Sequence, residues 1–107
     1  MKLVLAIVSN DDTSSLIKAL AKEKFQTTKL ATTGGFLSKG NSTLITGCED
    51  NDVPRVIDII ASQSKKRTEI VPNAAPFDSS ELMNTPIQVT VGGATVFVLN
   101  VEQFYKI

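Results

Sequence analysis

Positions 29 to 41 of the chain read Lys-Leu-Ala-Thr-Thr-Gly-Gly-Phe-Leu-Ser-Lys-Gly-Asn. Threonine-rich sequence leads into the glycine pair, and a further run of β-branched residues follows directly after Asn41. Glycines weaken a strand and free the backbone for a turn, so this stretch predicts two strands, over residues 25–33 and 42–48. A strand, a short loop and a strand are most simply an antiparallel hairpin, with residues 34–41 at its tip.

The same loop is a candidate ligand site, because Phe36 and Leu37 are large apolar side chains where loops are normally polar. Backbone N–H groups around Gly34 and Gly35 could hold an anion, and Phe36 offers a face on which a flat base could stack. A plain hairpin turn whose Phe36 packs into a neighbouring subunit is an equally open interpretation. Asn41 could read a base edge through its amide, or it could simply close the turn.

Three further positions allow more than one interpretation. Gly47 lies within the predicted third strand, where a glycine indicates a bulge, a ligand that approaches the backbone, or a packing constraint. Cys48 is interpreted as a small buried hydrophobe rather than a reactive thiol. The acidic pair Asp11-Asp12 precedes a predicted helix, so helix capping explains it without catalysis.

Length and composition indicate one globular domain of ordinary core size, with 107 residues, of which 42% are hydrophobic and 21% charged. Lysine plus arginine and aspartate plus glutamate number 11 each. No basic surplus therefore draws the chain to a nucleic-acid polymer. A small anionic ligand, which needs only a few donors, stays compatible with this balance.

Histidine is absent and there is a single cysteine, which excludes histidine acid–base catalysis, an intrachain disulfide and the common zinc sites. No nucleophile and base stand in a recognisable pattern, so we do not expect an enzyme. No run reaches membrane-spanning length, and the apolar residues 1–8 are too short for a signal peptide. These observations predict a cytoplasmic protein without a membrane partner.

Hydrophobic periodicity predicts a strand at residues 3–8, a helix at 13–24 and a second helix after residue 52. Asn51-Asp52 is expected to cap the second helix, and Pro54 is expected to lie in its first turn. The second helix is expected to have an apolar stripe and a solvated cationic end, formed respectively by Val53, Val56, Ile57 and Ile60 and by Lys65, Lys66 and Arg67.

The C-terminal part of the chain begins with a short predicted strand at 68–71 and a long loop over 72–86 that contains three prolines. Strands at 87–91 and 94–99 flank a glycine pair at 92–93, which is the strongest hairpin signal in the sequence. We therefore expect the last two strands to pair with each other.

The element order predicts an α+β fold: a ferredoxin-like βαββαβ arrangement with an extra C-terminal hairpin strand. Two helices cover one face of an antiparallel sheet. The other face carries Val, Ile and Thr side chains without a cover, so we expect subunits to close on it in an oligomer. The tail, residues 101–107, is also too apolar to hang free.

Three stretches resemble the motifs of the small PII-like cyclic-di-AMP receptor proteins. They are residues 29–37 followed by Gly40-Asn41, the last-strand sequence over 92–99, and the opening strand over 5–8. The resemblance covers nearly the whole chain in order, and its first motif is specific.

The resemblance implies a bacterial, non-enzymatic homotrimer of single-domain subunits, each spanning residues 1–107, with no cofactor or metal. Three cyclic-di-AMP molecules would lie in clefts between subunits and order two loops, at 34–40 and at about 65–86. Phe36 and Leu37 would pack on an adenine, and Asn41 would read its edge. The ligand-binding residues that the resemblance implies are Gln26, Thr27, Thr28, Gly35, Phe36, Leu37, Asn41, Gly47 and Lys106.

The sequence also departs from the family pattern. Position 26 is commonly arginine in the family, and Gln26 lacks the cation that would face a phosphate, a loss of about 1.5–3 kcal/mol. Lys106 stands where a glutamine often joins the site and could restore the charge. The long loop lacks the usual Gly-Gly-Asn-Ala-Asp pattern, and Asn100 replaces a common proline. A divergent paralogue is the alternative: an interaction module with weak or lost cyclic-di-AMP binding, or one that binds another nucleotide.

Overall fold

The computed structural model of the protein describes residues 1–32, 40–71 and 87–107. The elements in chain order are β1 (Lys2–Ser9), α1 (Asn10–Lys22), β2 (Thr27–Thr32), β3 (Asn41–Cys48), a 3-10 turn (Asp50–Asp52), α2 (Val53–Gln63), β4 (Arg67–Val71), β5 (Ile87–Val91) and β6 (Ala94–Asn100). Most of the predicted ligand loop and all of the long loop over 72–86 lie outside the described residues.

The main sheet has four strands in the order β2-β3-β1-β6, and every neighbouring pair is antiparallel. Leu5 of the central strand β1 lies opposite Ile45 on one side and opposite Phe97 on the other. The predicted hairpin of β2 and β3 is confirmed. This order of antiparallel strands, with two helices inserted, is compatible with the predicted ferredoxin-like, PII-like fold.

Both helices pack on the same face of the main sheet. Side chains alternate between the two faces of a strand, so one set of β1 residues faces the helices and is buried, whereas the intervening set is only half-buried. The core contains Val4, Ala6, Val8, Leu16, Leu20, Leu44, Cys48, Val56, Ile59 and Ile60. We call the other side, which neither of the described helices covers, the open face.

The start of each helix differs from the sequence prediction. Helix α1 begins at Asn10 rather than Thr13, because Ser9 is the N-cap and its Oγ accepts a hydrogen bond from the Asp11 N–H at 3.4 Å. Pro54 lies in the first turn of α2, as predicted, but Asp52 makes no side-chain capping bond. A 3-10 turn leads into α2 and takes the place of the predicted cap.

The buried stripe of α2 was predicted correctly at Val56 and Ile60 but wrongly at Ile57. Ile57 is 37% exposed, and Ile59 is buried instead with 4% exposure. Burial of either Ile57 or Ile59 is compatible with a helical period. The position of α1 and of the sheet beside α2 determines which of the two is covered.

The predicted C-terminal hairpin is wrong. Strand β5 pairs with β4 in a separate antiparallel two-stranded sheet, while β6 pairs with β1 in the main sheet. Gly92 and Gly93 have φ of +85° and +79° and form the joint between the two sheets. The fold therefore contains two added strands, and we call the pair of β4 and β5 the ribbon.

The cationic sequence after α2 was also interpreted wrongly in part. Helix α2 ends at Gln63, and Arg67 belongs to β4 rather than to a solvated helix end. Arg67 forms an ion pair with Asp12, a nearly buried carboxylate at the start of α1. The loop implied over about 65–86 is correspondingly shorter, since its first part is strand.

Replacement of Gly92 by alanine is expected to destabilise the ribbon by about 1–3 kcal/mol, because a left-handed backbone is unfavourable for alanine and its Cβ would collide with the Lys65 carbonyl oxygen. Gly93→Ala is a matched control: its φ is similar, but the nearest atom to a Cβ is on the Lys66 side chain at 3.6 Å. Urea unfolding of both variants measures the effect. If both variants lose the same free energy of unfolding, the contact with the Lys65 carbonyl oxygen does not destabilise Gly92→Ala.

Candidate functional site

The candidate ligand site is a cavity of about 390 Å³ at one end of the open face. Its walls come from β1, β2, β3 and the C-terminal segment. The lining residues are Met1, Leu3, Gln26, Thr28, Ile45, Gly47, Val101 and Phe104. Three of the residues predicted from the sequence, Gln26, Thr28 and Gly47, therefore lie together.

Strand register explains why these residues meet. Leu3 lies opposite Gly47, and Thr28 lies opposite Ile45, so all four side-chain positions share the open face. The chain leaves the sheet after β6, where the Val101 N–H donates to the Met1 carbonyl oxygen at 3.2 Å. That bond holds the start of the C-terminal segment beside the cavity.

Gly47 occupies a regular part of its strand. Its pairing with Leu3 continues the register of β1 and β3, so no bulge accounts for the glycine. A Cβ at Gly47 would meet no atom of the described chain within 4 Å, so packing against the described residues does not account for it either. Of the three interpretations of this glycine, the approach of a ligand to the backbone is the one that the described residues leave open.

Thr27 and Thr28 point to opposite faces of the sheet. The Thr27 hydroxyl hydrogen-bonds with the Thr46 hydroxyl at 2.8 Å, and Thr46 is buried beneath the helices. Thr28 is exposed and lines the cavity. The structure therefore brings Thr28, but not Thr27, to the candidate site.

Asn41 lies at the other end of β3, six residues before Gly47. At the rise of an antiparallel strand, about 3.4 Å per residue, the two positions are roughly 20 Å apart. Asn41 lines a different cavity, of about 250 Å³. We call this the upper cavity; its walls are Ile7, Asn41, Lys66, Gly92, Gly93, Ala94 and Thr95.

Lys106, Gly35, Phe36 and Leu37 complete the predicted ligand set. Lys106 is exposed in the C-terminal segment and does not line the walls that the structure describes. Gly35, Phe36 and Leu37 lie outside the described residues. Their roles stay predictions.

Most of the apolar walls of the cavity carried little signal in the sequence. Leu3 and Ile45 could have been found from strand alternation once the pairing of β1 and β3 was assumed. Val101 and Phe104 carried no such signal, because the C-terminal segment after β6 is irregular and its path depends on tertiary contacts.

None of the described side chains that line the candidate site is charged, and the α-ammonium group of the lining residue Met1 is paired with the Asp50 carboxylate at 3.0 Å. Nearby, burial and the carboxylates of Asp52, Asp50 and Glu49 raise the pKa of the Cys48 thiol. A raised pKa keeps the thiol protonated near neutral pH, which fits its interpretation as a small core residue. No cluster of metal-ligating side chains exists within residues 1–32, 40–71 and 87–107.

The open face beside the cavity is strongly apolar. Phe97 and Leu99 are 52% and 46% exposed, and they lie opposite Leu5 and Leu3 across the strand pair. Apolar patches of this kind on a protein surface mark interaction sites. Neither of the described helices covers this face, and these side chains are exposed in the part of the chain that the structure describes.

A family model described as the cyclic-di-AMP receptor matches residues 1–107, the whole of the chain. The chain belongs to the cyclic-di-AMP receptor family. The resemblance found in the sequence motifs is thereby confirmed at the level of the family.

A solved structure is also similar to this chain. It is the crystal structure of a functionally unknown protein from Pediococcus pentosaceus ATCC 25745, with a TM-score of 0.74 and 42% sequence identity. The match covers 99% of this chain and 96% of the other chain. The two proteins therefore share their fold over nearly their full length.

Membership of this receptor family indicates a protein that binds a cyclic dinucleotide and signals, rather than one that catalyses a reaction. Neither of the described α-helices is long and apolar enough to cross a membrane.

Proposed function

We propose that the chain is a cytoplasmic signalling protein that binds cyclic di-AMP at the interfaces between subunits of a homotrimer. The observation that carries the proposal is the place of the candidate cavity. Gln26, Thr28 and Gly47 line it on the open face, beside apolar side chains that need a cover. A neighbouring subunit on that face would supply the missing wall.

The separation of the predicted ligand residues supports a shared site. Asn41 and Gly47 are roughly 20 Å apart along β3, a distance that separates the upper cavity from the candidate cavity. In an oligomer closed on the open face, the Asn41 end of one subunit can meet the Gly47 end of another. Each interface would then hold one ligand, and a trimer would hold three.

The size of the candidate cavity also favours a site completed by a partner. At about 390 Å³ it lies near the lower limit of typical ligand sites, which are about 300–1,000 Å³. Cyclic di-AMP has two adenines and two ribose phosphates. One cavity of this size would accept part of the ligand and leave the rest to the neighbouring subunit.

Signalling in this proposal comes from ligand-dependent ordering of two loops, around residues 34–40 and in the segment that joins β4 to β5. Ordered loops would present a surface to a downstream protein. We expect a single domain over 1–107, with no metal, cofactor, membrane or nucleic-acid polymer involved.

Isothermal titration with cyclic di-AMP tests the proposed function, with cyclic di-GMP and ATP titrated in parallel. Saturable heat with cyclic di-AMP, and much weaker heat with the other two, is expected. Absence of both heat and a thermal shift at high micromolar cyclic di-AMP would overturn the proposal.

Gln26→Arg is expected to tighten cyclic-di-AMP binding tenfold or more, about 1.5–3 kcal/mol, because it places a charge-assisted hydrogen-bond donor in a cavity whose described lining side chains are uncharged. The gain should shrink as salt is raised, since screening weakens a charge interaction. Titration at two salt concentrations measures both effects. Gln26→Met, of similar length but uncharged, is the control and should not tighten binding.

Phe36→Ala is expected to weaken binding by about 1–3 kcal/mol, the usual range for the loss of an aromatic that stacks on a base. A change in the stability of the fold would be a separate effect of the substitution. Titration with cyclic di-AMP and a parallel melting curve separate the two effects. Unchanged affinity would remove Phe36 from the site.

A second candidate function is a PII-like interaction module that has weak or lost cyclic-di-AMP binding, or that binds another nucleotide. Gln26 favours it, because the described walls of the cavity contain no charged side chain to face a phosphate. Pull-downs with and without cyclic di-AMP distinguish the two. Partner capture that ignores the nucleotide favours the module, whereas nucleotide-dependent capture favours the receptor.

A further inference from the structure

We infer that the first turn of α1 couples two places in the fold, with the Asp12–Arg67 ion pair as the link. One is the base of the β2–β3 loop, formed by Thr32 and residues 40–42. The other is the base of the ribbon, formed by Arg67, Gly92 and Gly93. These are the two places from which the segments 33–39 and 72–86 depart. The inference rests on contacts of described residues on both sides of that turn.

Asn10 is hydrogen-bonded to the base of the β2–β3 loop. Its backbone N–H donates to the Gly40 carbonyl oxygen at 2.9 Å, and its side-chain Oδ1 accepts from the Ser42 hydroxyl at 2.5 Å. Ser42 is buried, and its hydroxyl also lies 3.3 Å from that of Thr32. The ends of β2 and β3 that flank the loop are therefore attached to the first residue of α1.

Asp12, two residues further along the same turn, contacts the base of the ribbon. Its carboxylate receives hydrogen bonds from both terminal nitrogens of the Arg67 guanidinium, at 2.9 and 3.3 Å. Asp12 is only 5% exposed, and the hydrogen bond raises the pKa of Arg67. Loss of a partner from such a buried charge is costly, so the pair fixes where β4 leaves the core.

The base of the ribbon is fitted closely around Arg67. The guanidinium also donates to the Lys65 carbonyl oxygen at 3.1 Å, and a Cβ at Gly92 would lie 2.8 Å from it. The Gly93 N–H donates to the Ser64 carbonyl oxygen. Both strands of the ribbon therefore depend on the position of this one side chain.

Away from its base, where Val91 is buried, the described part of the ribbon is largely exposed. A two-stranded sheet alone is marginally stable in water, and Ile70 within it is 68% exposed. The order of the ribbon is accordingly sensitive to its base. The upper cavity lies between the two bases, with Asn41 on one wall and Gly92 and Gly93 on another.

Hydrogen–deuterium exchange of the ligand-free protein tests the link. Arg67→Gln is expected to speed exchange at residues 67–71 and 87–91 by about fivefold, and at residues 40–42 by about twofold. Arg55→Gln is a matched control, because Arg55 makes an equally bidentate pair with Glu23 at the far end of α1. Arg55→Gln should leave the exchange rates of the ribbon and of residues 40–42 unchanged.

The reverse experiment perturbs the other side, because coupling between two sites is reciprocal. Ser42→Ala removes the hydroxyl that Asn10 accepts from and should speed exchange in the ribbon by about twofold. Thr46→Val removes a buried hydroxyl from the other end of the same strand and should leave the ribbon unchanged.

Ribbon exchange that is the same in Arg67→Gln and Arg55→Gln would overturn the inference. Faster exchange confined to the ribbon, with residues 40–42 unchanged, would overturn it too, because the two bases would then be independent. The inference is supported if Arg67→Gln speeds exchange at residues 40–42, Ser42→Ala speeds exchange in the ribbon, and both control variants leave exchange unchanged.

A further measurement adds cyclic di-AMP and rests on the proposed function. Ligand should slow exchange in the ribbon of the unaltered protein and of Arg55→Gln by about fivefold, and in Arg67→Gln by less than about twofold. Equal slowing in all three would count against the link. If the unaltered protein does not bind cyclic di-AMP, the proposed function fails, and the ligand-free experiments still decide the coupling.

Discussion

Phe97→Glu is expected to sediment as a monomer, whereas the unaltered protein is expected to sediment as a trimer. Phe97 is among the exposed apolar side chains of the open face, in register with Leu5 of the central strand. Closing subunits on that face would bury one unpaired carboxylate from every copy, at a cost of several kcal/mol each. Analytical ultracentrifugation measures the outcome directly.

Val98→Glu is the matched control, because Val98 is the next residue of the same strand and faces the opposite side of the sheet. It is exposed as well, so the fold should accept the charge. We expect this variant to remain a trimer. A trimer that survives Phe97→Glu, or a monomeric unaltered protein, would contradict the proposed interface and the shared ligand site together.

Gly47→Val is expected to weaken cyclic-di-AMP binding roughly a hundredfold, about 2.8 kcal/mol, without unfolding the protein. A Cβ at Gly47 would meet no described atom within 4 Å, and valine is favourable in a strand where glycine costs about 0.5–1 kcal/mol. The branched side chain would instead fill the cavity beside Gln26 and Thr28. Titration calorimetry and urea unfolding measure the two quantities.

A graded series separates binding from assembly, because Gly47 also lies on the open face. Gly47→Ala should weaken binding less than Gly47→Val, since it fills less of the cavity. Sedimentation of each variant shows whether the trimer persists. Gly47→Val with normal affinity would move the ligand away from this cavity, and loss of the trimer would assign the glycine to subunit contact instead.

Local patterns predicted both helices and the strands of the main sheet. Helical periodicity identified α1 and α2, and glycine-rich turn chemistry identified the hairpin of β2 and β3. Gln26, Thr28 and Gly47, which the resemblance to the receptor family singled out, proved to be neighbours. Such signals succeed because spacing along one element determines which side chains share a face.

The partner of β5 is the clearest case in which a local signal misled. A glycine pair between two strands favours a hairpin, yet Gly92 and Gly93 join two different sheets. Strand β6 finds a better partner in β1, where it extends the main sheet over the helices, and β5 pairs with β4. The competition between partners distant in sequence decides the pairing.

The sequence by itself determined the family, the α+β class, the helices and the hairpin next to the proposed ligand loop. Only the tertiary structure decided that Thr28 rather than Thr27 reaches the cavity, that Asn41 lies far from Gly47, and that Arg67 pairs with Asp12. The reason is physical: periodicity acts within one element, whereas register, burial and ion pairing depend on which elements the folded chain brings together.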